Sequence, residues 1–169
     1  DTSSELLKQN IDNQRNKVKD STIKSASKNL IIISLGTAHA WEMNGAIVNN
    51  CHKLPSDLFN RRLLTINDII KVWKVVLPLI PEHIDIIYTV SPVRYTKIGL
   101  QENFIGKSVL RLAINELLDL RAGSYYFPSY EIITDELRDY NYYEPNGTHP
   151  NKKAVSVVME RFKRFLSLK

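Results

Sequence analysis

The sequence has one cysteine, Cys51, and cannot build an internal disulfide framework; a reducing compartment such as the cytoplasm is the expectation that follows. It has no long apolar run. The longest, Leu30-Ile31-Ile32-Ile33, falls far short of the ~20 residues a membrane-spanning helix needs. Six glycines and seven prolines in 169 residues exclude collagen-like and low-complexity chains, and 43% hydrophobic against 24% charged residues excludes intrinsic disorder. Four scattered histidines argue against a zinc site, because even the adjacent Cys51 and His52 point apart in an extended segment. There is no internal repeat, no interdomain linker, and nothing that calls for a cofactor. What is present is enough chain for a single domain with a real core.

The charge is unevenly placed. Residues 151–169 hold Lys152, Lys153, Arg161, Lys163, Arg164 and Lys169 against Glu160 alone, which accounts for the whole net charge of +5. Apolar residues Ala154, Val155, Val158, Phe162, Phe165 and Leu166 recur there at helical spacing. The segment reads as a docked terminal helix with a solvated basic face, and no nucleic-acid partner is implied.

Thr2-Ser3-Ser4-Glu5 is a capping box and predicts a polar helix to about residue 26. Residues 29–35, with the β-branched run Ile31-Ile32-Ile33 at their centre, predict a strand buried on both faces, as in parallel sheets. Residues 36–64 read as one long irregular stretch, a kind that is usually functional. Thr65-Ile66-Asn67-Asp68 opens a helix ended by Pro78 and Pro81. A second buried strand spans 84–90, and a helix over about 102–120 gathers Ile105, Val109, Leu112, Ala113, Glu116 and Leu117 near one side. A short strand over 125–127, a helix over 129–137 and a Tyr-rich loop precede the terminal helix. Strands alternating with helices predict an α/β fold of three layers on a parallel sheet. The tyrosines at 125, 126, 130, 140, 142 and 143 fit either core and rim or a sugar-stacking wall.

Open parallel sheets bind ligands at the carboxyl ends of their strands. After the first strand comes Gly36-Thr37-Ala38-His39-Ala40-Trp41-Glu42, and later Asn49-Asn50-Cys51-His52-Lys53. After the second comes Ser91-Pro92-Val93-Arg94-Tyr95-Thr96, and Asn146-Gly147-Thr148-His149-Pro150 precedes the last helix. His149 is a candidate general base. Arg94 either clamps a substrate carboxylate bidentately or pairs with Glu42 or Glu102.

In this order the segments resemble the SGNH (GDSL-like) hydrolases and, more closely, their bacterial GSCFA branch. The matching stretches are 35–42, 50–55 with Arg61-Arg62-Leu63-Leu64-Thr65, 89–96 through Glu102-Asn103, and 126–132 into Asp135-Glu136-Leu137-Arg138-Asp139-Tyr140, followed by His149-Pro150. The resemblance implies a flavodoxin-like parallel sheet and hydrolysis of acyl esters, acylated carbohydrates among them. A Ser nucleophile, a His base and an oxyanion hole would do the chemistry. His149 matches the base. Asn146 stands where the superfamily has the Asp three residues before that His. The superfamily's oxyanion Asn is replaced by Ala38, leaving Gly36, Asn50 and His52 as oxyanion candidates beside Arg94 and Glu42 as substrate-binding candidates. The Gly-Ser-Cys-Phe-Ala motif that carries the nucleophile is absent, and its place in the family's order is upstream of Asp1. The expectation is therefore a C-terminal portion of a larger domain, inactive and poorly soluble alone, whose sheet takes a further strand from upstream. The alternative is a degenerate SGNH-like domain that binds without turnover. Neither reading requires a metal, and both leave the oligomeric state open.

Overall fold

The protein is described by a computed structural model that covers residues 29–48 and 53–168. The capping box at residue 2 and its helix lie outside them, as do Asn50, Cys51 and His52. Three strands, β1 (Leu30–Leu35), β5 (Asp85–Val90) and β6 (Ser124–Tyr126), form a parallel sheet in the order β1-β5-β6. β1 and β5 run in register from Leu30 opposite Asp85 to Leu35 opposite Val90. Helices α1 (Ile66–Val76) and α2 (Leu100–Asp119) cover one face. On the other lie α3 (Ser129–Glu131), its π-helical continuation Ile132–Leu137, and α4 (Lys152–Ser167). This is the layered α/β fold with a parallel sheet that the alternation of elements predicts, and it is consistent with the flavodoxin-like arrangement that the resemblance implies.

The central strand explains how the layers hold. Along β5, Ile86, Tyr88 and Val90 point into the core with Ile69, Ile70, Leu110 and Ala113, while Ile87 packs with Phe127 and Ile132 on the opposite face. A strand buried on both faces needs this uninterrupted apolar run. Phe127 in turn meets Phe162 and Phe165 of α4 at ring-centroid distances of 4.9 and 5.5 Å. Val155 and Leu166 leave the predicted stripe and stay exposed, because α4 docks through Ala154, Val158, Phe162 and Phe165. β1 differs from its predicted double burial. Ile33 and Leu35 pack on the core, but Ile32 is 53% exposed, since among the described residues β5 is the only neighbour of β1 and nothing covers that face of Ile32.

The predicted irregular stretch over 36–64 is instead a second, antiparallel sheet. Its strands are β2 (His39–Met43), β3 (Ala46–Val48) and β4 (Asn60–Leu63), in the order β3-β2-β4. Asn44 and Gly45 both have positive φ, 52° and 78°, the two-residue turn that Asn-Gly favours between paired strands. Thr65 caps α1 as predicted: its hydroxyl accepts from the Asp68 N–H at 3.1 Å, and the Asp68 carboxylate accepts from the Thr65 N–H at 3.0 Å. Those Thr65 bonds, ahead of the Arg62 charge, hold the Asp68 carboxyl below its usual range.

α2 is rotated from its expected orientation. Asn103, Gly106, Lys107, Leu110, Ala113, Ile114 and Leu117 face inward, while Leu112 is 56% exposed and Glu116 lies at the surface. Apolarity alone misplaces this face because its first turns carry polar groups that reach loop carbonyls. Among the described residues no helix is long and apolar enough to cross a membrane.

Candidate active site

The carboxyl edge of the parallel sheet is closed from below by Lys107. Its side chain is 3% exposed, and its ammonium donates to the Gly36 and Ser91 carbonyls at 2.6 Å each, lashing the loop after β1 to the loop after β5. The Tyr130 ring lies 5.7 Å from the same nitrogen. No carboxylate pairs with it among the described residues, and burial pulls the amine down to about 8. A buried ammonium is tolerated here because carbonyl oxygens replace part of its hydration.

Beside it, His39 is equally enclosed. Its side chain is 4% exposed, Nε2 lies 3.5 Å from Glu102 Oε2, and Nδ1 lies 3.4 Å from the Thr37 hydroxyl. Gly106 makes room: a Cβ there would stand 3.2 Å from two atoms of the ring. His39 is therefore bound on both edges by the protein itself.

The loops around Arg94 are built differently. The Arg94 N–H donates to the Thr148 carbonyl at 2.9 Å, and its Nη1 donates to the Gly147 carbonyl at 3.2 Å. Asn103 of α2 accepts from the Tyr95 N–H at 2.8 Å, fixing the same loop from behind. These bonds hold residues 146–149 against the carboxyl end of β5. Within that segment the Asn146 side-chain oxygen accepts from the Thr148 N–H at 2.9 Å and the His149 N–H at 3.5 Å, a turn-forming role. His149 is exposed, and among the described residues no side chain hydrogen-bonds its imidazole.

The Arg94 guanidinium lies 5.4 Å from the ring centroids of both Tyr140 and Tyr143. Neither acid that could have paired with it does so: Glu102 goes to His39, and Glu42 sits 3.7 Å from Arg62 on the small sheet. A cavity of about 290 Å³ opens between Arg94, Thr134, Arg138, Asp139, Tyr140 and Tyr143. Thus Arg94 and the Asn146–His149 turn are brought together, Gly36 is tied to the Ser91 loop through its carbonyl, and Glu42 is held elsewhere. Asn50 and His52 lie outside the described residues. Lys107 and Arg138 were not singled out by sequence. The signal for Lys107 was its place one turn before Leu110 on an otherwise inward face; Arg138 carried none.

Comparison with protein families adds the decisive observation: the model of the GSCFA family matches residues 1–162. The chain belongs to the GSCFA family. Comparison with curated proteins gave no match, and comparison with solved structures gave none. In this GSCFA domain, no three His, Cys, Asp or Glu side chains among the described residues assemble to hold a metal ion.

Proposed function

We propose that this GSCFA chain is the base-bearing part of an SGNH-type acyl-ester hydrolase, acting on acylated carbohydrates or similar small molecules. The nucleophile is a Ser of the Gly-Ser-Cys-Phe-Ala motif upstream of Asp1. It attacks the ester carbonyl while the His149 imidazole takes its proton. The alcohol then leaves with that proton, and water, deprotonated by the same imidazole, releases the acid from the acyl-enzyme. Oxyanion donors come from the segment 36–52, where Gly36, Asn50 and His52 are candidates. One observation carries the reading: Arg94 fastens the turn bearing His149 to the carboxyl end of the central strand, while among the described residues no side chain hydrogen-bonds the imidazole. The same reading makes these residues the C-terminal portion of a larger domain, with an upstream strand placed along the edge of β1 that no described strand pairs.

A second reading, a binding domain without turnover, draws on Asn146. Its oxygen is taken by backbone amides rather than offered to the imidazole. The experiment that separates the two is fluorophosphonate labelling of the native gene product with peptide mapping. An adduct on a Ser upstream of Asp1, lost or strongly slowed in His149→Ala, supports the hydrolase. Absence of any adduct on folded protein leaves the binding domain.

A further inference from the structure

We infer that the cavity beside the His149 turn receives the carboxylate of an acidic monosaccharide, which makes an anionic sugar ester the substrate class; the inference rests on the hydrolase reading for its second half only. The first support is unspent hydrogen-bonding capacity. A guanidinium has five N–H donors. Among the described residues only one protein acceptor, the Gly147 carbonyl, takes a hydrogen bond from that of Arg94. Arg138, on the same cavity, makes no side-chain bond or ion pair at all among them.

Among the described residues the one acid on this wall, Asp139, offsets only one of the two guanidinium charges. Asp139 accepts from the Asn141 N–H at 2.9 Å and from the Asn141 side-chain amide at 3.0 Å, so its carboxylate is committed to a turn. The Tyr143 phenol adds no negative charge, because burial raises its hydroxyl above its usual range. An excess of cationic donors facing a cavity is what a bidentate carboxylate site requires.

Size and shape supply the rest. A cavity near 290 Å³ sits at the lower end of small-molecule sites and has room for a single sugar unit. Tyr140 is 75% exposed and lies over Arg94, offering a flat apolar surface beside the cation, as a sugar ring with a carboxylate substituent would use. The backbone places Arg138 for this purpose. The π-helical turn closes with the Arg138 N–H on the Ile133 carbonyl at 3.3 Å, and Arg138 itself adopts φ 42°, a left-handed conformation costly for a side-chain-bearing residue.

The test is calorimetric titration of the full-length gene product with galacturonate, with galactose as its neutral counterpart, and with inorganic phosphate. The expected result is at least tenfold tighter binding of galacturonate than of galactose, weakened by salt. Arg94→Gln should erase that preference, and Arg94→Lys should restore only part of it, because an ammonium cannot make the bidentate pair. Arg138→Gln, at a side chain with no bond to lose, should cut the preference severalfold with an unchanged melting temperature. Equal affinity for the two sugars, or a preference that survives in both glutamine variants, overturns the inference. Phosphate binding tighter than galacturonate overturns the acidic sugar in favour of a phosphorylated ligand. Binding is read without turnover, so a missing fluorophosphonate adduct would defeat the hydrolase while leaving this result standing.

Discussion

The two halves of the sheet's carboxyl edge treat their polar side chains in opposite ways. Around β1, the Lys107 ammonium and the His39 ring are almost fully enclosed, and each is bound by neighbours that leave little for a ligand. Around the end of β5, Arg94, Arg138 and His149 keep donors and acceptors that no other described residue uses. Buried polar groups must be paired to be affordable, whereas a binding group must stay unpaired yet held in place. By that measure the first half is scaffold and the second the candidate site, although both carry a histidine and a cation.

The largest test of the contrast is Lys107→Met. It leaves the Gly36 and Ser91 carbonyls without their donor and should cost about 3 kcal/mol in urea unfolding, with loss of loop order around residues 36 and 91. A loss under about 0.5 kcal/mol would remove Lys107 from the scaffold. The wild type also carries a pH signature. The amine titrates near 8 when folded and near its ordinary 10.5 when unfolded, so between those values the unfolded chain binds more protons and stability rises with pH. Above about 10 the rise is opposed by Tyr88, whose phenol burial pushes up to about 12. The upward limb should vanish in Lys107→Met.

A smaller effect is expected at Gly106. Adding a methyl group puts a Cβ 3.2 Å from a His39 ring that Glu102 and Thr37 hold in place, so Gly106→Ala should destabilise by about 1 kcal/mol. In a His39→Ala background the clash is gone, and the same change should stabilise by up to about 1 kcal/mol through helix propensity. Equal effects in both backgrounds would mean that the ring is not held. Smallest is Asn146→Ala. Loss of the turn bonds should cost about 0.5–1 kcal/mol and reduce His149-dependent activity, while Asn146→Asp should restore both, since its carboxylate can accept the same N–H groups. An alanine variant with unchanged activity would show that the turn does not position the imidazole.

Much of this was legible in the residues. The double burial of β5 follows from Ile86, Ile87, Tyr88 and Val90 in succession, and the start of α1 from Thr65 and Asp68 three residues apart. Asn44-Gly45 carried a hairpin signal within the stretch expected to be irregular. The face of α2 was less legible, because Asn103 and Lys107 point inward for hydrogen bonds that only exist once distant loops arrive. At the candidate site, Arg94 and His149 stood out by neighbouring prolines; the bonds from Arg94 to the Gly147 and Thr148 carbonyls did not.

What the sequence determined by itself was local: periods of two and 3.6, caps, turns and chain breaks, each decided by residues within a few positions of one another. The tertiary structure alone decided which acids were spent. Glu102 went to His39 and Glu42 to Arg62, leaving Arg94 with no acid partner among the described residues. Such pairings are chosen by distances across the folded chain, because Coulomb attraction depends on separation in space and not on separation in sequence.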